Sequence, residues 1–166
     1  MNYDEWVVSV PGEISGDPVW KIKAYRLALF VMEIGWQDVT KLAHDKRTIS
    51  TSDQLYRALG SICSNMVEGY SRSSSKDRTR FYEYALGSAR ESRVWYYQSR
   101  HILGETVLSH RLSMLTQIIR LLLTMIPQQR GRFLSEEHEI YQVILEDQLP
   151  IDESQLNHLL RSVPLP

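Results

Sequence analysis

The side chains best suited to chemistry in this sequence are arginines interleaved with tyrosines. Tyr82, Leu86, Arg90, Arg93, Tyr97 and Arg100 recur at intervals of three or four residues, which places them on one sector of a helix. Just upstream, Arg72, Lys76, Arg78 and Arg80 cluster among serines. Guanidinium groups pair with phosphate oxygens and stack on aromatic rings, so this pattern suits RNA or DNA. A solvated helix face has the same composition. A third arrangement lays the acidic ends of the chain over this surface.

A second series is polar. Gln54, Arg57, Ser61, Asn65 and Glu68 share one narrow helical face, and Ser88 and Glu91 fall within an apolar arc of Phe81, Tyr84, Ala85 and Trp95. An acid on an apolar arc must be paired if it is buried, and Arg57 is the nearest counter-charge. These seven residues suit an inter-helix polar network that sets the register of a bundle. A ligand-contacting groove is the alternative. A catalytic acid–base pair lacks an accompanying nucleophile or metal.

The remaining inventory points away from catalysis. The histidines, His44, His101, His110, His138 and His158, include no pair at i, i+4. There is no glycine-rich phosphate loop and no nucleophile elbow. Cys63, the single cysteine, shares a face with Leu59, Ile62 and Met66 and reads as a small buried hydrophobe. No catalytic centre, metal site or cofactor is expected. One cysteine allows no intrachain disulfide, the start lacks a signal-peptide pattern, and no apolar run is long enough for a membrane span, so a cytoplasmic protein is expected.

The elements that position these residues follow from proline, glycine and periodicity. No proline occurs between Val19 and Ile126, which leaves room for four helices. The first is predicted from the Asp17-Pro18 start to about residue 43, and the second from residues 50–53 to about 69. The third runs from Ser75 to Gly104, and the fourth from about 106 to 126, with Pro127 and Gly131 closing the segment. Short connections imply an all-α, antiparallel up-down four-helix bundle. Three segments result: an irregular N-terminal arm over 1–16, the bundle over 17–131, and an acidic extension over 132–166. The extension is expected to hold short helices. One starts at Ser135, and another follows a capping-box-like Asp152 and Gln155 before Leu156, Leu159 and Leu160.

The first helix carries two apolar stripes. Trp20, Ala24, Leu27, Ala28, Val31 and Ile34 form one; Ile22, Tyr25, Leu29, Met32 and Trp36 lie nearly opposite. A bundle helix normally needs one. Tyr25, Leu29, Met32 and Trp36 are therefore an expected oligomer interface, unless the terminal arms cover them.

The chain is 166 residues with a formal net charge of −1, a total that taken alone argues against a polyanion partner. By segment the charge is −3 over residues 1–16, +8 over 17–132 and −6 over 133–166. A basic middle lies between acidic ends, and the total excludes nothing.

The runs Gln54-Leu-Tyr-Arg57-Ala58 through Asn65-Met-Val-Glu68-Gly69, and Phe81-Tyr-Glu-Tyr-Ala85-Leu-Gly87-Ser88-Ala-Arg-Glu91, resemble the signature of the family named after 23S rRNA intervening sequences. Trp20-Lys21-Ile-Lys-Ala24 is similar to the family's opening, and the likeness covers about residues 18–130. The arm and the acidic extension depart from it. The resemblance implies a left-handed antiparallel bundle that commonly forms a ring-shaped homopentamer. A related branch holds the accessory protein of diversity-generating retroelements, a basic pentamer that binds nucleic acid and a reverse transcriptase. The sequence is more similar to the intervening-sequence branch, which carries no established activity. The resemblance also makes Arg57, Ser61, Asn65, Glu68, Ser88 and Glu91 signature polar positions of the bundle. The expected function is a non-enzymatic oligomeric scaffold that binds RNA or DNA through the third helix. The alternative is a protein-interaction adaptor whose basic surface is covered by its own or a partner's acidic segment.

Overall fold

The computed structural model describes residues 1–130 and 153–166. All regular structure among them is helical. The order is α1 (Tyr3–Ser9), α2 (Gly12–Ser15), a 3-10 turn (Pro18–Lys21), α3 (Lys23–Ala43), α4 (Ile49–Tyr70), α5 (Ser75–Gln98), α6 (Arg100–Leu103), α7 (Glu105–Arg130) and α8 (Glu153–Arg161). The four long helices pack as a bundle in which α3 touches α4 and α7, and α5 touches the same two. Short links between sequential neighbours make them antiparallel, as their periodicity predicts.

Local chemistry accounts for most boundaries. The Asp17 carboxylate accepts from the Val19 amide at 2.9 Å, so the predicted cap exists, but it starts a 3-10 turn and α3 begins only at Lys23. Ser74 caps α5 by accepting from the Asp77 amide. The third predicted helix is interrupted: Ser99 is buried, its hydroxyl donates to the Trp95 carbonyl at 2.8 Å, and the chain resumes as α6. Gly104 closes α6 with φ of 85°, a conformation that favours glycine. Pro127 does not end α7, which continues to Arg130. A proline this near the C-terminus forfeits only one main-chain bond.

The core is lined by Leu27, Val31 and Leu42 of α3, Leu55, Leu59, Ile62 and Met66 of α4, Ala85 and Ala89 of α5, and Met114, Leu115, Ile118 and Leu122 of α7. The N-terminal arm is helical rather than irregular. Asn2 and Glu5 form a reciprocal capping box, each side chain accepting from the other's amide at 3.0 Å. Trp6 then packs on Phe30 and Trp20, with ring centroids 5.3 and 5.8 Å apart. A seven-residue helix is too short to stand on propensity, so this docking is what supports it. The helix predicted from Ser135 and the Asp152 cap lie outside the described residues. Helix α8 does contain Leu156, Leu159 and Leu160.

Candidate functional site

Helix α5 buries Thr79, Tyr82, Ala85, Leu86, Ala89, Ser92 and Tyr96. This corrects the predicted sector at two positions, because Tyr82 and Leu86 belong to the core. The small residues Ala85, Ala89 and Ser92 let α5 approach its neighbours, which turns that side inward. Arg90, Arg93 and Tyr97 are exposed as expected, and Arg100 lies at the same end. With Val94 and Leu112 of α7, the first three line an open groove of about 330 Å³. The Arg100 guanidinium sits over the Tyr97 ring at 4.3 Å and donates to the Tyr97 carbonyl. Tyr97 and Val94 are 56% and 54% exposed, so an aromatic and an aliphatic face stand in solvent between arginines. No ion pair among the described residues involves Arg90 or Arg93.

The upstream cations form a separate patch. About 15 Å of helix separates Arg80 from Arg90. Arg72 pairs with Glu68 and lies over the Phe81 ring. Arg78 donates to the Gln129 side chain at 3.0 Å and to the Arg72 carbonyl at 2.8 Å, tying the α4–α5 corner to α7. Arg80 donates to the Tyr84 hydroxyl, which holds the guanidinium's proton more firmly than usual. Lys76 is exposed. This corner is largely committed to local contacts.

The seven residues expected to form an inter-helix polar network, Gln54 and the six signature positions, are not joined across helices. Arg57 is exposed and faces Asp53 at 3.8 Å on its own helix, and Glu68 binds Arg72 one turn on. Asn65 donates to the Ser61 carbonyl, and Ser88 to the Tyr84 carbonyl. Gln54 is half-buried, and Glu91 is exposed and accepts from the Trp95 indole at 3.1 Å. The residues that made Glu91 look buried are themselves partly outside, with Tyr84 45% exposed. Each of these bonds stays within one helix or reaches only the turn that follows it, and Glu91 is not paired with Arg57.

A buried polar cluster sits elsewhere. Arg111 and Asp38 are 1% and 0% exposed. The guanidinium donates through Nε to Asp38 Oδ2 at 2.8 Å and through Nη2 to Oδ1 at 3.1 Å. Tyr96 donates its hydroxyl proton to Asp38 Oδ2 at 2.8 Å. Arg111 Nη1 lies 2.8 Å from His110 Nδ1, and Nη2 also donates to the Pro164 carbonyl at 3.0 Å. His110 Nε2 lies 2.8 Å from the Leu159 carbonyl. An arginine cannot accept, so Nδ1 is the acceptor and the ring proton sits on Nε2, donating to Leu159. Burial lowers the His110 pKa, and the Arg111 charge lowers it further. Burial and then the Asp38 charge push the Tyr96 phenol well above its ordinary value.

Sequence reasoning missed this cluster although a signal existed. Asp38 lies four residues beyond Ile34 on the buried stripe of α3, and Arg111 sits between Leu108 and Leu115 on that of α7. A charge on each of two apolar stripes is the mark of a buried pair.

The expected interface on α3 is divided. Tyr25 is buried within the chain, and that burial, with a smaller contribution from the Asp17 charge, raises its pKa. Leu29, Met32 and the 59%-exposed Trp36 line an open groove of about 420 Å³ with Trp6, Val10 and Tyr56. Burial pushes the Cys63 thiol up to about 12, which leaves it unreactive in the folded chain. Among the described residues no cluster of His, Cys, Asp and Glu could hold a metal ion, and no helix is long and apolar enough to cross a membrane.

A helical bundle extended by a docked arm and a docked C-terminal segment is the class these features define. The family model for 23S rRNA-intervening sequence protein matches residues 19–124, and the chain belongs to that family. A solved protein of unknown function from the S23 ribosomal protein family of Bacteroides thetaiotaomicron has the same fold. It matches with a TM-score of 0.59 at 20% identity, over 62% of this chain and 97% of its own. No curated protein matches.

Proposed function

We propose that the chain is a non-enzymatic oligomeric scaffold that binds RNA or DNA through the exposed face of α5. The observation that carries this reading is the groove of Arg90, Arg93 and Tyr97, with Arg100 stacked on the tyrosine ring. Cations that form no ion pair among the described residues can each neutralise a phosphate, and an exposed aromatic beside them can stack on a base. The exposed Leu29–Met32–Trp36 groove supports self-association, with the family resemblance favouring a pentamer. In an assembly, each subunit's α5 face adds a further anion site, and linked sites raise avidity.

The reading is tested by binding to a structured RNA, and to a DNA of the same length, across a salt series. Affinity is expected to fall steeply with salt and to drop at least tenfold when Arg90, Arg93 and Arg100 are all replaced by Glu. An affinity indifferent to both salt and these substitutions refutes it. Solution mass measured beside a Trp36→Ala variant tests the self-association.

The adaptor reading, with an acidic segment over the basic face, receives one observation. Glu153 of the acidic extension does pair with a bundle cation, Lys23, at 2.9 Å. That contact is on α3, and with residues 153–166 in place Arg90, Arg93 and Tyr97 of α5 stay exposed.

A further inference from the structure

The C-terminal segment is held on the bundle the way a ligand is held. Leu156 is 1% exposed, and Leu159, Leu160 and Val163 pack on the core beside it. At one end Glu153 meets Lys23. At the other, His110 Nε2–H donates to the Leu159 carbonyl and Arg111 Nη2–H to the Pro164 carbonyl.

Both donors are fixed by the bundle alone. Asp38 grips the guanidinium through two bonds, and the guanidinium in turn keeps the proton of His110 on the outward nitrogen. The two N–H groups are therefore aimed at the groove before any segment arrives, which removes an ordering cost from binding. The groups they recognise are main-chain carbonyls, so selectivity rests on leucines at helical spacing followed by a non-helical, proline-containing end. The family match stops at residue 124, so this segment is an addition to the common bundle. Residues 131–152 connect the two, a length that at full extension reaches on the order of 70 Å.

We propose that this groove is an exchangeable recognition site for an amphipathic leucine segment. It is filled here by the chain's own residues 153–166, and in assembled chains by the same residues of a second copy. The second copy is the fitting occupant because its segment carries the same leucines and carbonyls, and the connection is long enough to cross to a neighbour. The tethered segment competes at a high effective concentration, so exchange is favoured where copies are already held together. The trans occupant alone rests on the oligomer reading above.

The experiment uses the full chain carrying Leu156→Asp, whose own segment no longer docks, and a fluorescent peptide of residues 153–166. Saturable binding is expected, at least tenfold tighter than to the wild-type chain, whose groove is occupied. A peptide carrying L156D should bind at least tenfold more weakly, and one ending at Ser162, which lacks the Pro164 carbonyl, severalfold more weakly. Because these changes lie in the peptide, they leave the bundle intact. A folded L156D chain that ignores the peptide, or takes the altered peptide equally well, overturns the site. If the L156D chain loses its helicity, a wild-type chain cut at a protease site inserted within 131–152 replaces it. Exchange of its released segment for labelled peptide is then expected, and failure to exchange overturns the proposal. A differently tagged wild-type chain is finally offered in place of the peptide. The mass of the wild-type chain alone is measured first: where it self-associates, peptide binding without capture of that chain overturns the second-copy occupant, and where it is monomeric the oligomer reading and the trans occupant fall together while the peptide result still decides the site.

Discussion

Replacing Asp38 by Ala probes the centre of the fold. The substitution leaves the Arg111 guanidinium, 1% exposed, without its two carboxylate bonds of 2.8 and 3.1 Å. It also strips the Tyr96 hydroxyl of its acceptor. The bonds to His110 and the Pro164 carbonyl remain, but neither supplies a negative charge. Breaking a buried ion pair from one side costs about 3–5 kcal/mol, because a charge is left in a medium that solvates it poorly. For a chain of this size that corresponds to a fall in Tm of roughly 6–20 °C. Replacing both partners with apolar residues, Asp38→Leu with Arg111→Met, removes the stranded charge and should recover most of the loss. Urea unfolding of the wild type, D38L, R111M and the D38L/R111M double variant closes the cycle, with D38A measured beside them. A loss below about 1 kcal/mol for D38A, or a double variant as unstable as the two singles added together, refutes the account of a desolvated, mutually dependent pair.

Two further predictions concern neighbouring features. The His110 pKa is lowered in the folded chain, chiefly by burial, so the proton binds more readily to the unfolded chain. The stability associated with the neutral ring is complete above about pH 6.5 and is lost as the pH falls from there through the folded value. Around the ring, Arg111 and His158 oppose protonation and Asp38 favours it, and the net direction is downward. Urea midpoints compared at pH 7.5 and 5.5 should show this loss, and His110→Gln should flatten it; an unchanged slope in the variant contradicts the assignment. Gly69 faces the Tyr82 ring, where an added Cβ would stand 2.9 Å from Cε1 and 3.0 Å from Phe81 Cβ. Gly69→Ala should therefore cost about 1–3 kcal/mol by overpacking, read from the urea midpoint.

The four bundle helices were legible because their apolar spacing is long and no proline intervenes. The rotation of α5 was not. Its sequence holds one stripe through Phe81, Tyr84 and Ala85 and another through Tyr82, Leu86 and Ala89, a single residue apart. One residue is about 100° of rotation, and periodicity alone does not choose between two aromatic stripes. Contact with α4 and α7 chooses the second, which expels Glu91 and draws in Tyr82 and Leu86. The same choice leaves Arg90, Arg93 and Tyr97 outside, so most of the predicted basic face keeps its position although two of its members do not. The arm was misread for a different reason. A single turn or two gives no periodic signal, and α1 is supported by the burial of Trp6 against Phe30, residues far apart in sequence.

The sequence by itself determined the helical class, the number of long helices, the asymmetry of charge and the family motifs. These depend on local spacing, backbone chemistry and composition, which act within a few residues. Only the tertiary structure decided which charges are buried, which stripe of each helix faces the core, and where the C-terminal segment rests. Asp38 and Arg111 are 73 residues apart, and their pairing has physical meaning only after four helices exclude water from between them.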